Sequence, residues 1–309
     1  MVFSEKFAMP VSSRSASLFF NLRHIIGALL SVLVTLSLTG CSAVKLGYNN
    51  APDLGYWWLD SYLDFNQAQS IKLRTDLTAL QSWHRQSELP LYLNTLEKMQ
   101  RLAPNEVSPV QLCVLFDELR PRLQALLDQA APTVVALAPT LSETQLEHLA
   151  RQFDKRSQKW RDEWLDGSAS KRNARRVKQL TDRAELFYGR LEQAQLTALR
   201  ASVAGSMFDA GLSYRESQRR QQDALQTLRK IQYGQAEGLN VSTEMRALLE
   251  RTLNSPDSSY RNYTDKLIQE NCTTFATLHN STTPAQRLRL METLKDYETD
   301  ARSLMAPSR

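Results

Sequence analysis

The sequence predicts an all-α multi-helix bundle, roughly ten amphipathic helices behind a cleaved signal peptide. Three observations carry this expectation. Only ten glycines occur in 309 residues, alternating β-branched runs are missing, and Leu, Gln, Arg, Ala and Glu dominate, all good helix formers. One helix-start signal recurs five times along the chain. An uncharged apolar run near the N-terminus ends at a cysteine.

Residues 1–24 hold Lys6, Arg14 and Arg23 and the acid Glu5. Ile25 to Leu38 is then apolar for 14 residues. That lies within the roughly 7–15 of a signal-peptide apolar region and below the roughly 20 that cross a bilayer as a helix. Leu38-Thr39-Gly40-Cys41 follows. Small residues let the chain lie extended in a peptidase cleft, and the tetrapeptide is similar to the lipobox of bacterial lipoproteins. That resemblance implies cleavage between Gly40 and Cys41, a thioether diacylglycerol on Cys41, and a fatty acyl group, such as palmitate, on its new amine. One chain binds a membrane marginally, so three on one residue should hold almost irreversibly. Ser42 rather than Asp resembles the outer-membrane sorting pattern of enteric bacteria. The expected location is the outer membrane, lipid-anchored and facing the periplasm. A signal with an incidental cysteine, or a short membrane anchor, is the alternative, and Met9 is an alternative start.

Removing 40 of 309 residues leaves 269, enough for one large domain or two small ones. The signal takes three bases and one acid, so the formal charge falls from +5 to +3. This is mild, and with export it argues against nucleic acid as a partner. The expected layout is the signal at 1–40, a lipid-anchored aromatic segment at 41–66, and one helical periplasmic domain at 67–309.

Tyr48, Tyr56, Trp57, Trp58, Tyr62 and Phe65 crowd the segment after Cys41. A floppy tether would be rich in Ser and Gly. These rings must instead pack, either in a helix docked on the domain or at lipid headgroups, where amphipathic rings sit well.

The recurrent signal is a small polar or acidic residue with Gln three positions on: Asn66 and Gln69, Ser108 and Gln111, Ser142 and Gln145, Glu192 and Gln195, Thr283 and Gln286. In such a capping box the first side chain accepts from the Gln amide and the Gln reaches back. Val107 with Leu112, Leu141 with Leu146, and Leu191 with Leu196 add hydrophobic staples. Pro109 and Pro284 fall at the first helical position. Helical-period stripes follow: Leu112, Leu115, Phe116, Leu119, Leu123 and Leu126; Leu146, Leu149, Ala150, Phe153, Trp160 and Trp164; Leu288, Met291, Leu294, Tyr297 and Ala301. Pro90, Pro121, Pro132 and Pro139 should kink or break helices. The spacing predicts helices near 54–63, 67–87, 90–102, 109–130, 142–165, 170–188, 192–204, 213–233, 242–253, 258–279 and 284–304.

Cys113 and Cys272 remain once Cys41 is acylated, an even pair in an oxidising compartment. A disulfide is expected, stabilising by roughly 5 kcal/mol in the chain-entropy model; two buried free thiols are the alternative. No metal site is expected, because no paired His lies near either cysteine. His84, His148 and His279 are isolated, and no hydrolase, zinc or phosphate-loop motif occurs. His84, between Trp83 and Arg85, is expected to be a packing residue. We therefore expect no enzyme and no cofactor. Lys171, Arg172, Arg175, Arg176, Lys178 and Arg183 crowd one segment. They are candidates to contact anionic envelope lipid or an acidic protein client, or they are a solvated face paired with Asp154, Asp162 and Glu163.

The run from Leu38 to Phe65, Trp83-His84-Arg85 and the start at Thr283 together resemble a family of proteobacterial lipoproteins known only as a domain of unknown function. The resemblance spans nearly all the mature chain and implies an outer-membrane-anchored helical protein, with no catalytic residue to carry over. Leu141-Ser142-Glu143-Thr144-Gln145 is similar to the Leu-Thr-x-x-Gln motif of the Spy and CpxP periplasmic stress proteins, which implies a helical and, for Spy, chaperone-like protein. The expected function is a non-enzymatic scaffold or interaction protein of the envelope, with an anchored holdase chaperone as the alternative.

Overall fold

The computed structural model describes residues 40–234 and 238–306. The expected signal peptide and the side chain of Cys41 lie outside the described residues. The chain divides into two units, Met1–Gly47 and Tyr48–Arg309. Of the first, residues 40–47 are helical. The second unit carries everything below.

Every described element is helical: α1 Gly40–Asn49, α2 Ala51–Leu63, α3 Gln67–Trp83, α4 Leu89–Leu102, α5 Pro109–Leu137, α6 Glu143–Trp160, α7 Ala169–Tyr188, α8 Gln193–Ala204, α9 Ala210–Gly234, α10 Val241–Leu253, α11 Ser258–Asn280 and α12 Pro284–Met305. The fold is all-α, and among the described residues no helix is long and apolar enough to cross a membrane.

The prolines behave differently from expectation. A π-helical turn, His84–Glu88, joins α3 to α4, so Pro90 interrupts nothing. A π-turn inserts one residue into the ladder and frees backbone groups locally. α5 continues through Pro121 and Pro132 to Leu137. Each proline costs a ladder bond, and α5 stays continuous while packed against α3, α10 and α11. Only Pro139 lies at a break, in a short 3₁₀ turn before α6.

All five capping boxes form. Four of them also do something a local motif cannot announce: they meet in pairs. Gln69 and Gln145 exchange side-chain amide bonds of 3.3 and 2.8 Å, and Gln195 and Gln286 exchange bonds of 2.7 and 3.0 Å. Each glutamine then donates to the carbonyl two residues before its partner's cap. Gln69 reaches Thr140, Gln145 reaches Asp64, Gln195 reaches Ser281 and Gln286 reaches Arg190. All four glutamines are buried. Two helical corners are thus pinned head to head in each knot. Reaching those carbonyls needs tight chain reversals: Asp64 ends α2 in the left-handed region at φ 47°, and Gly189 ends α7 at φ 70°. Aspartate and glycine are among the residues that tolerate this region.

The apolar core is divided among four small clusters. Tyr56, Leu73 and Leu137 join α2, α3 and α5. Ala138, Ile231, Met245 and Leu248 join the end of α5 to α9 and α10. Ala184, Leu191, Leu199 and Leu278 join α7, α8 and α11. Ala103, Leu290 and Leu294 join α4 and α12. Cys113 and Cys272 form a disulfide with a Cα–Cα distance of 5.5 Å. It clips the start of α5 to α11 across 159 residues.

Candidate functional site

Between the clusters lies an apolar groove of about 350 Å³. Its walls come from five places in the sequence: Met99 and Leu102 of α4, Leu112, Leu115, Phe116 and Leu119 of α5, Phe187 and Tyr188 of α7, Phe275 and His279 of α11, and Leu290 and Leu294 of α12. The volume falls in the range of ligand sites, roughly 300–1,000 Å³. The groove is open along α5, where the lining residues Phe116 and Leu119 are 45% and 39% exposed. The α5 stripe therefore lines an open groove instead of a closed core.

Of the groove's three polar residues, Thr95 donates to Glu118 at 3.2 Å, and the other two are tied to each other. Tyr188 Oη and His279 Nδ1 are 2.9 Å apart, and His279 Nε2 meets the Asn105 carbonyl at 2.8 Å. The carbonyl can only accept, so Nε2 carries the proton and Nδ1 accepts from the tyrosine. Burial lowers the His279 pKa, opposed by the Asn105 bond, and raises that of Tyr188 to about 12. Both stay neutral near pH 7; the two protons and the imidazole Nδ1 are engaged, which leaves the Tyr188 oxygen as an acceptor. The arrangement holds α7, α11 and the turn after α4 together. The disulfide sits beside it, Cys113 next to Leu112 and Cys272 three residues before Phe275.

A second cavity, about 540 Å³, opens farther along α5. Arg120 of α5, Arg220 of α9 and Arg261 of α11 all line it, with Asp265 as the one lining carboxylate. Arg220 donates Nε to Glu216 at 2.7 Å, and Arg261 donates to the Ser255 carbonyl at 2.5 Å. Arg120 is exposed, with no ion pair among the described residues.

The basic segment of α7 is disposed differently. Arg172 donates to the Gly167 and Leu165 carbonyls at 2.7 and 3.3 Å. Arg175 pairs with Glu163 at 3.4 Å and lies over Trp164. Arg176 binds Ser206 at 2.8 Å, reaches the Val203 carbonyl and covers the Phe208 ring. Lys178 pairs with Asp182 at 2.7 Å. Only Lys171 and Arg183 are exposed without an ion pair among the described residues. Of the acids expected opposite this segment, Glu163 takes part.

His84 makes a packing contact. Its Nδ1 meets the Tyr48 hydroxyl at 2.9 Å, and the Tyr92 ring lies 5.7 Å away. Burial lowers its pKa. Arg85 donates to Asn49 and covers Tyr48, so Tyr48-Asn49 and His84-Arg85 form one contact. Tyr56 is buried, whereas Trp57 and Trp58, exposed to 60% and 58%, face outward. Among the described residues no group of three His, Cys, Asp or Glu is placed to hold a metal.

A family model matches residues 61–254, the end of α2 to just past α10. The chain belongs to the family of unknown function DUF6279. The matched segment of this DUF6279 chain carries the α4, α5 and α7 walls of the groove and one glutamine knot. Cys272, Phe275, His279 and Gln286 lie beyond it. No curated protein and no solved structure matches the chain.

Proposed function

We propose that this chain is a lipid-anchored binding protein of the bacterial envelope, acylated at Cys41 in the outer membrane and facing the periplasm. It works without catalysis, as a scaffold or interaction protein that holds a hydrophobic element in the groove between α4, α5, α7, α11 and α12. The observation that carries this reading is the groove itself: apolar, open, and lined by a histidine and tyrosine already bonded to each other. An apolar guest is what such a surface can desolvate without orphaning polar groups. The lipobox supports the anchor, and the outward tryptophans would suit a headgroup layer.

The test is a neutral solvatochromic dye titrated into lipid-free protein. Phe116→Glu and Leu119→Glu should weaken binding at least tenfold at unchanged melting temperature. Equal binding by the variants would remove the groove as the site.

A holdase chaperone is the second reading, because the exposed α5 stripe offers unfolded clients the same apolar surface. Suppression of client aggregation at near-equal molar ratio, lost in Leu119→Glu, would support it. The inward engagement of Arg172, Arg175 and Arg176 leaves such a chaperone little basic rim on α7, so its action should depend weakly on salt.

A further inference from the structure

The groove and the arginine cavity share one helix. At 100° per residue, Leu112, Phe116, Leu119 and Leu123 of α5 fall within about 60° of one another. Leu119 lines the groove and Leu123 lines the arginine cavity. Both are partly exposed, so an apolar strip runs from one to the other. Arg120 and Gln124 are turned by about a quarter circle, onto the face where Cys113 is bonded to α11. From that side Arg261 and Ile268 of α11 complete the second cavity.

The charges there are unbalanced. Three guanidiniums line one cavity and Asp265 is the only lining carboxylate. Glu216, behind Arg220, is already held by Arg219 as well. Arg120 makes no ion pair within 4 Å among the described residues. Guanidinium forks suit phosphate and carboxylate. An anion would relieve the repulsion that folding leaves in place, and Leu123, Leu253 and Ile268 add apolar lining to the cavity.

We propose that the guest is an amphipathic anion: its aliphatic chain lies along the Leu112–Leu123 face of α5, and its phosphate or carboxylate head is held by Arg120, Arg220 and Arg261. This rests on the groove reading above and names its ligand class. From Leu112 to Leu123 the helix rises about 16 Å. An extended alkyl chain of about a dozen carbons, with bonds near 1.5 Å, covers a similar length.

The experiment is calorimetric titration of lipid-free protein with dodecyl phosphate below its micelle concentration, dodecanol, and inorganic phosphate. Dodecyl phosphate should bind at least tenfold tighter than dodecanol and should weaken with salt. Arg120→Gln with Arg261→Gln should cut dodecyl phosphate affinity about tenfold and leave dodecanol unchanged. Arg220 is spared because it braces Glu216. Equal affinity for the phosphate and the alcohol would overturn the head assignment while leaving the groove standing. Inorganic phosphate binding as tightly as dodecyl phosphate would overturn the chain assignment. Binding of none of the three would remove the groove reading and this proposal together.

Discussion

Gln195→Ala is the sharpest probe of how this fold is held. Gln195 is 1% exposed. Its Oε1 accepts from the Glu192 amide at 2.8 Å and from Gln286 at 3.0 Å. Its Nε2 donates to the Ser281 carbonyl at 3.0 Å and to Gln286 at 2.7 Å. Truncation leaves the Glu192 N–H and the Ser281 carbonyl without these partners, and Gln286 keeps only Arg190 and Thr283. Each orphaned buried group costs about 1–3 kcal/mol, and each lost buried methylene about 0.8 kcal/mol. Two such groups and one methylene sum to about 3–7 kcal/mol. Gln111 makes the same capping box but is exposed, so Gln111→Ala should cost only the cap, about 0.5–1 kcal/mol. Urea unfolding of lipid-free protein at fixed pH, with both variants side by side, measures the difference. A double-mutant cycle with Gln286→Ala should give a coupling of about 1–2 kcal/mol. If Gln195→Ala and Gln111→Ala agree within about 0.5 kcal/mol, the scale on which independent sites add, the knot contributes nothing beyond a cap.

Reducing the Cys113–Cys272 bond should lower stability by up to about 5 kcal/mol in the chain-entropy model, and dye affinity should fall with it because the α5 and α11 walls lose their clip; a reduced protein with unchanged affinity would show that the walls are held by packing alone. His279 has a folded pKa below its ordinary value, so the folded state binds fewer protons than the unfolded chain as pH falls past about 6.5. Its contribution to stability is therefore present at pH 7 and lost on acidification, and His279→Gln should flatten the melting-temperature profile between about pH 7 and 5 relative to wild type. Glu298 is the opposite titration type: hydrogen bonds from Gln100, Lys295 and Arg302 hold its pKa at about 2. Its stabilisation should persist through mild acid and fade only as pH falls from about 4.3 towards 2, with Glu298→Gln removing that limb. Trp57→Ala with Trp58→Ala should weaken lipid-free protein binding to vesicles without moving the melting temperature, since both rings point outward; unchanged binding would take the tryptophans away from the membrane.

The helix starts were legible because a capping box is local: the four residues that spell it also satisfy it. The five boxes all carry Gln, never Glu, and the fold gives the reason. A capping Gln must accept from its own cap, and in four cases its amide must also donate across to another helix. A carboxylate cannot donate and would be a buried charge. The residue choice thus held a clue to the pairing, but nothing in the sequence says which box meets which, because the partners lie 76 and 91 positions apart. The disulfide was readable by elimination. The engagement of Arg172 was not, since its partners are carbonyls that any residue supplies. The groove was half visible. The α5 stripe stands out by its period, yet periodicity marks only a face that prefers cover, and whether the fold supplies that cover is a property of five helices at once. Here α5 is clipped by its disulfide to α11 on one side. Its leucine face is left over a gap that α4, α7 and α12 line without filling. That gap is the strongest argument for a guest: a stripe of this length would be costly to keep in water unless something else covers it.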